Sequence, residues 1–231
     1  MLMLKMKQKL RYLLQKLGLI EIQTVCFSQE GEDLILEEYF QGVNKGFYID
    51  IGAYHPIRYS NTFKFYLKGW HGINIDARPG SMQNFKKVRP KDINLEIAVG
   101  NRSECLKYYM FDEPALNGFS KEISEERDRD FHFNILKTVD INLERLEVIL
   151  DNFLPENTEI HFLSIDVEGL DYEVLLSNNF NKYRPKMILV ETSVISEGLA
   201  FDSEINIFLN ENGYSLVAKT FRTSFYKLNL C

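Results

Sequence analysis

The sequence predicts an α/β fold in which helices cover both faces of a mostly parallel sheet. Two observations favour this class. Strand-like apolar runs alternate with helical segments along most of the 231 residues, and no internal repeat or long linker interrupts the alternation. The last two strand-like runs follow one another without a helix between them, so they predict a C-terminal hairpin that adds an antiparallel edge strand.

Local patterns place each element in turn. The first helix is expected in SQEGEDLILEEYF, with Ser28 as its N-cap and acids in the first turn, where the helix dipole favours them. Strands are predicted in GFYIDIG, HGINID, DINLEIAVG, HFLSID and KMILVET, with an extra strand in ECLKYYMF and the hairpin in YSLVAKT and SFYKLNL. Helices are predicted in SNTFKFYLKGW, SMQNFKKVRP, INLERLEVILDNF, VEGLDYEVLLSNN and SEINIFLNENG.

The alternation breaks between Asp112 and Asp140. Pro114, Asn117 and Gly118 mark a loop, and the charge run KEISEERDRD follows it. Such a run is typical of a solvated helix or a mobile loop. It is also compatible with a lid over a binding site.

Composition narrows the class of protein. The chain is 45% hydrophobic and 26% charged, which suits one soluble domain. A net charge of −6 argues against binding nucleic acid through an overall basic field. The three cysteines are widely spaced and form no C-x-x-C, so neither a zinc site nor a disulfide framework is indicated, and a reducing cytoplasm is the expected location.

Residues 1–22 differ in composition from the main domain, residues 23–231. They carry five basic residues before position 17 and no acid until Glu21, and four leucines, Leu10, Leu13, Leu14 and Leu17, share one helix face. The favoured interpretation is a basic amphipathic helix that packs on the body or on a partner such as a glycosyltransferase. Peripheral attachment to the inner face of a membrane is the alternative.

Acids stand at the ends of the predicted strands, at Asp50, Asp76, Asp166 and Glu191. In a parallel sheet, ligands bind at these carboxyl ends. Asp76 follows Gly52 by about the interval at which an acid receives ribose hydroxyls in nucleotide-binding α/β folds. A turn with one glycine suits a ligand without a pyrophosphate, which disfavours a dinucleotide-dependent dehydrogenase and favours S-adenosylmethionine.

Five segments resemble, in order, the motifs of the FkbM-type S-adenosylmethionine-dependent methyltransferases. They are SQEGED, FYIDIGAYHP, SNTFKFYLKGWHGINIDARPG, INLEIAVG and LSIDVEGLDYEVL. The resemblance implies a Rossmann-like class I methyltransferase fold with a seven-stranded sheet and S-adenosylmethionine as cofactor. It also implies O-methylation of a sugar, glycan or glycolipid hydroxyl.

The resemblance further implies a set of cofactor-binding residues at the strand ends and in the N-terminal motif. Asp76 would take the ribose hydroxyls, and Asp166 would lie near the sulfonium and the acceptor. The full set is Gln29, Glu30, Asp33, Asp50, Gly52, Ala53, Asn61, Asp76, Ala77, Ala98, Val99 and Asp166. Asn61 either contacts ligand or helps to cap the next helix.

Methylation of a hydroxyl benefits from a base that removes its proton. His55 is the first candidate because it follows the glycine turn and titrates near neutrality; a structural hydrogen bond within its loop is the alternative. Asp166 or Glu168 is the second candidate. Mg²⁺ bound by Asp166, Glu168, Asp171 and Glu191 is a less favoured option, so no metal site is predicted. A non-catalytic cofactor-binding or docking domain, associated with a glycan-assembly enzyme, stays open as the alternative function.

Overall fold

A computed structural model describes residues 24–130, 133–192 and 204–229. The basic helix expected over residues 1–22 lies outside these ranges, as does the boundary proposed for it. Among the described helices, none has both the length and the apolar character needed to cross a membrane.

The main sheet has seven strands and confirms the predicted α/β class. Its order across the sheet is β3 (Ile93–Glu96), β2 (His71–Asp76), β1 (Phe47–Ile51), β7 (Phe162–Ile165), β8 (Met187–Glu191), β10 (Thr223–Leu228) and β9 (Tyr214–Lys219). The first five strands are parallel. The C-terminal hairpin supplies the antiparallel strand, β10, which pairs with β8 and lies one place in from the edge strand β9.

The direction in which strands are added changes beside β1. The chain first adds β2 and β3 on one side of β1 and later adds β7 and β8 on the other. The registers pair Ile51 of β1 with both Ile75 and Ile165, so the carboxyl ends of the three strands lie side by side. Such a switch point leaves a crevice above the strand ends, which is where open α/β sheets bind ligands.

The helices are short and pack on both faces of the main sheet. They are α1 (Glu32–Tyr39), α2 (Phe63–Leu67), α3 (Met82–Val88), α4 (Lys121–Asp130), α5 (Leu146–Phe153), α6 (Asp171–Leu176) and α7 (Glu204–Glu211). Because side chains alternate along a strand, Ile49 and Ile51 join an aliphatic cluster on one face, while Tyr48 joins an aromatic cluster on the other. Trp70 and Phe162 belong to that aromatic cluster.

A second, three-stranded sheet departs from the sequence prediction. Its order is β4 (Ala98–Val99), β6 (Ile135–Glu144) and β5 (Cys105–Phe111). The predicted strand DINLEIAVG therefore divides between two sheets. The prediction of helix for residues 141–144 was wrong, because INLE ends the ten-residue strand β6 and α5 begins only at Leu146.

Two further predictions can be compared with the structure. The charge run forms helix α4, one of the expected alternatives. The predicted N-cap at Ser28 was wrong, because α1 begins at Glu32 and its N-cap is Gly31, whose φ of 92° is left-handed. Ser28 instead accepts a hydrogen bond from the Asp33 backbone N–H at 3.2 Å, which folds the preceding turn against the helix.

Candidate active site

A cavity of about 370 Å³ lies over the carboxyl ends of the main-sheet strands. The strand ends contribute Gly52, Asp76, Asp166 and Glu191 to its lining. The opposite wall comes from the segment between β5 and β6, including the 3₁₀ turn Pro114–Leu116 and the side of α4. The volume falls within the range of small-molecule sites.

Gly52 fixes the floor of this cavity. Its φ of 83° is left-handed, and an added Cβ would lie 1.6 Å from the Asp166 carbonyl oxygen. The backbone N–H groups of Gly52 and Ala53 both donate to the Ile75 carbonyl, at 2.9 and 3.0 Å. A single glycine therefore allows the ends of three strands to meet, and no second glycine is needed at this turn.

Asp76 lies at the end of β2, beside Ala77, and both residues line the cavity. One oxygen of Asp76 accepts the Arg78 backbone N–H at 2.8 Å. Burial raises the pKa of Asp76, while that hydrogen bond and the charge of Arg78 oppose the rise. A carboxylate accepts several hydrogen bonds, so Asp76 keeps acceptor capacity for a vicinal diol.

Three carboxyl groups meet at the other side of the cavity. Asp166, Glu168 and Glu191 each offer an oxygen within 4.8 Å of the other two. Asp166 and Glu191 both line the cavity, and the side chain of Asp166 is open to it. Burial among protein atoms, and then the neighbouring carboxylates, raise the pKa of Asp166 well above its usual range and that of Glu191 to about 7.

A shared proton follows from this arrangement, because two carboxylates in contact do not both ionise readily. Asp171 does not join the group. Its carboxylate accepts the backbone N–H groups of Val167 and Gly169, each at 3.2 Å, and burial raises its pKa to about 6. Asp166 is not the N-cap of a helix, since α6 begins only at Asp171.

Glu168 connects this carboxyl group to the opposite wall. It forms an ion pair with Arg127 of α4 at 2.6 Å, and Arg127 also donates to the Leu116 carbonyl at 3.0 Å. Glu168 has a left-handed φ of 55°, which costs a non-glycine residue about 1–3 kcal/mol. The ion pair therefore holds a strained residue at the edge of the cavity.

The comparisons with known proteins agree with this geometry. The model of the family described as the methyltransferase FkbM domain matches residues 50–216. The chain belongs to this family. No curated protein and no solved structure gave a match to the chain. The matched range begins at Asp50 and includes the strand-end residues Asp76, Asp166 and Glu191, so the cavity lies within a methyltransferase domain.

The FkbM domain brings together only part of the predicted site. Seven predicted residues line the cavity, namely Gln29, Gly52, Asp76, Ala77, Val99, Asp166 and Glu168. The other predicted residues lie behind or beside it, and they are Glu30, Asp33, Asp50, Ala53, Asn61, Ala98 and His55. Ala53 packs against Met82 and Phe85, and Ala98 pairs with Leu143 in the second sheet.

Asp50 belongs to a buried polar network beneath the floor. It accepts a hydrogen bond from the Thr62 hydroxyl at 2.7 Å. The fully buried Arg89 donates to Thr62 at 3.0 Å, to Asp92 at 2.8 Å and to the Tyr48 hydroxyl at 2.7 Å. Burial raises the pKa of Asp50 and the charge of Arg89 opposes the rise. Asp50 thus supports the glycine turn from below.

The remaining residues of the SNT motif also make protein contacts. Asn61 donates to Ser164 of β7 at 3.0 Å, which ties the loop after β1 to the neighbouring strand. Ser60 accepts the Phe63 backbone N–H at 3.1 Å at the start of α2. Of the two roles expected for this motif, contacts of the structural kind are the ones present.

The SQEGED motif lies before the matched range and anchors two segments beside the cavity. The buried Asp33 accepts the Phe27 backbone N–H at 2.8 Å. Glu30 accepts the backbone N–H of Arg222, in the hairpin loop, at 2.9 Å. Gln29 and Arg222 both line the cavity. The motif therefore closes the cavity mainly through backbone anchoring.

His55 is absent from the cavity lining. Its Nδ1 accepts the backbone N–H groups of Ile57 and Arg58, at 3.1 and 3.0 Å. In the neutral ring the proton is then on Nε2, which cannot accept another proton in that form. Burial, and then the charges of Arg58 and Arg78, lower the pKa of His55. These contacts correspond to the structural alternative, and a catalytic role for His55 stays a prediction.

Several cavity residues lie outside the predicted set. Glu191 carried a recognisable signal, an acid at the end of a strand, and was considered only as a metal ligand. Tyr54 stands inside the FYIDIGAYHP motif, yet its ring was given no role. Asn117, Phe119 and Arg127 come from the segment with no sequence match to the family motifs, so only the fold brings them to the cavity.

Proposed function

We propose that the chain is an S-adenosylmethionine-dependent O-methyltransferase that acts on a hydroxyl of a sugar, glycan or glycolipid. The observation that carries the proposal is the presence, within one cavity, of Asp76 at the end of β2 and the neighbouring carboxyl groups of Asp166 and Glu191. The first suits a ribose diol, and the second suits both a cation and a proton acceptor.

The residues present fit the proposed cofactor. Asp76 would hold the ribose, the apolar side chains of Ile97 and Val99 would contact the adenine, and the carboxyl pair would face the sulfonium. There is no room for a Cβ at Gly52, so the backbone of this residue itself forms the cavity floor. When bound, S-adenosylmethionine supplies an already activated methyl group, so the protein's task is mainly alignment.

The carboxyl pair of Asp166 and Glu191 is the proton acceptor in this proposal. A base works best when its pKa is near the operating pH, and the pKa of Glu191 is raised to about 7. The pair would accept the proton of the acceptor hydroxyl, whose oxygen would take the methyl group that S-adenosylmethionine supplies when bound. Glu168 is the weaker candidate because Arg127 already occupies it.

Mg²⁺ remains an alternative that we do not favour. The same three carboxyl groups could bind a divalent cation. Against this, Arg127 pairs with Glu168 at 2.6 Å. That ion pair would have to be given up when a cation binds.

The proposal extends to partners and location. The expected partner is the sugar or glycan acceptor, with no nucleic acid, in the cytoplasm. Residues 1–22 would contact a glycosyltransferase or the inner face of a membrane. Removal of residues 1–22 should abolish binding to anionic vesicles if the membrane contact is real, and unchanged binding would exclude it.

Methyl transfer to a panel of sugars and glycolipids tests the function. Incorporation of a labelled methyl group from S-adenosylmethionine is expected with the native protein. The double substitution Asp166→Asn/Glu191→Gln should reduce the rate by about 100-fold or more, because neither side chain can then take up a proton. Asp140→Asn, at an exposed site, is the matched control. Cofactor binding without transfer to any hydroxyl acceptor would favour the non-catalytic docking function instead.

A further inference from the structure

Two tyrosines stand together at the cavity. Tyr54 and Tyr59 both line it, and their rings are nearly parallel, with centroids 6.3 Å apart and an interplanar angle of 22°. Tyr59 is 43% exposed. The hydroxyl of Tyr54 donates to Glu113 at 3.1 Å, which fixes the orientation of that ring. The pair presents flat apolar surface of the kind that packs against a sugar ring.

The backbone holds Tyr59 in this place at the expense of local strain. Its φ of 56° is left-handed, a region that a bulky residue rarely adopts. Hydrogen bonds on both sides enforce it: Ser60 N–H donates to the Phe27 carbonyl at 3.0 Å, and His55 Nδ1 accepts two backbone N–H groups. Strain of this kind concentrates at ligand sites, so the position of Tyr59 points to a binding role.

Two guanidinium groups adjoin the tyrosines. Arg58 lies with its central carbon 4.4 Å from the Tyr59 ring centroid and donates to the Tyr59 hydroxyl at 3.0 Å. Arg78 donates to the Tyr54 carbonyl at 3.4 Å. Neither guanidinium forms an ion pair with a carboxylate of the described residues. Their charges act on nearby acids without an ion pair, Arg58 on Glu113 and Arg78 on Asp76. Both guanidinium groups therefore lie beside the aromatic pair without a carboxylate partner in contact among the described residues.

We propose that Tyr54, Arg58, Tyr59 and Arg78, the Tyr–Arg rim, form a subsite for an acidic sugar of the acceptor. The rings pack against the sugar, and the guanidinium groups bind its carboxylate or phosphate. This inference rests on the proposed function and specifies its substrate class. The three carboxyl groups at the other side of the cavity repel an anion, so they favour an orientation with the anionic group at the rim.

Binding of simple sugars to protein saturated with S-adenosylhomocysteine tests the subsite. The probes are p-nitrophenyl β-D-glucuronide, glucose 1-phosphate and, as the neutral match, p-nitrophenyl β-D-glucoside. At least one charged probe should bind about tenfold more tightly than the neutral one at low ionic strength. The charged probe that binds with the higher affinity shows whether the rim selects a carboxylate or a phosphate.

Single substitutions assign the preference to the rim. Arg58→Gln and Arg78→Gln should each reduce binding of the charged probe by about tenfold and leave the neutral probe unchanged. Arg102→Gln, at another exposed arginine, should change neither. Tyr59→Gly suits the left-handed backbone, so the variant should stay folded while it loses affinity for both charged and neutral probes.

Three outcomes would contradict the inference, and they differ in whether the proposed function survives. If S-adenosylhomocysteine binds but charged probes bind no more tightly than the neutral one, the subsite is wrong and the proposed function survives. If Arg58→Gln and Arg78→Gln weaken S-adenosylhomocysteine instead of the sugars, the rim serves the cofactor's own carboxylate. If S-adenosylhomocysteine does not bind to the native protein, the proposed function and the subsite fail together.

Discussion

The floor and the cover of the cavity are built on different principles. The floor, at the ends of β1, β2 and β7, rests on buried strands and on the network around Arg89. The cover, residues 112–130 with α4, is exposed along much of α4 but buried at Asn117 and Ser124, and it reaches the floor through the ion pair between Arg127 and Glu168. The difference suggests a division of labour, in which a rigid floor positions the cofactor and the cover governs the acceptor.

Substitution of Gly52 should break the floor with the largest effect. In Gly52→Ala the new Cβ would collide with the Asp166 carbonyl and φ would stay left-handed, so we expect a loss of about 4–5 kcal/mol in the free energy of unfolding. Denaturant unfolding measures it. Gly42→Ala is the matched control, because Gly42 has a similar φ of 85° but nothing within 4 Å of the added Cβ. That variant should lose about 1 kcal/mol, and equal losses would show that the collision does not matter.

Removal of the buried guanidinium should weaken the floor almost as much. Arg89→Met leaves Asp92 and Asp50 without their cation, and we expect a loss of about 3–4 kcal/mol in the free energy of unfolding. Lys182→Met, which breaks the exposed pair with Asp151, should change the free energy of unfolding very little. A loss of that small size in Arg89→Met would contradict the proposed role of the network.

Release of the cover should affect turnover more than stability. Arg127→Ala removes a half-buried ion pair, which contributes only about 1 kcal/mol to stability. If the cover governs the acceptor, acceptor kcat/KM should fall by about tenfold, with cofactor affinity nearly unchanged. Lys121→Ala, on the exposed part of the same helix, is the control. An equal fall in cofactor affinity would show that floor and cover are not separate.

The smallest effect concerns pH. Burial raises the pKa of Glu191 from 4.5 to about 7. Between these two pH values the folded state therefore keeps a proton that the unfolded state has released. Stability from this group is therefore full below about pH 4.5 and declines as pH rises towards 7. In Glu191→Gln the decline should be smaller by about 1 kcal/mol over this interval. Unfolding midpoints measured from pH 5 to pH 8 test this prediction. A pH dependence in Glu191→Gln equal to that of the native protein would contradict it.

The sequence predicted the floor far better than the cover, and for a physical reason. The strands ending at Asp50, Asp76 and Asp166 are local patterns that fix both their own conformation and, in a parallel sheet, a common edge. Asp50 nevertheless faces the buried network, where its partner Thr62 accepts hydrogen bonds from Arg89. Arg89 is 39 residues from Asp50 in the chain, so no local pattern indicates this contact.

The cover illustrates what a single sequence does not specify. Arg127 lies in a charge run without regularly spaced apolar residues. No local pattern therefore indicates which side chain of the run contacts Glu168. Strand β6 was missed because Leu143 also fits the apolar face of the helix that follows. Tyr54 lies in a motif that resembles the family, whereas Tyr59 lies between two such motifs. The pairing of their rings depends on the left-handed backbone at Tyr59.

Calorimetric titration of S-adenosylmethionine into the full chain tests the central claim most directly, with Asp76→Ala and the control Asp140→Ala beside the native protein. Asp76 lines the cavity, whereas Asp140 is exposed on the second sheet. The account predicts saturable binding that Asp76→Ala weakens by about tenfold or more and that Asp140→Ala leaves unchanged. Absence of binding in the native protein, or equal affinity in Asp76→Ala, would contradict it.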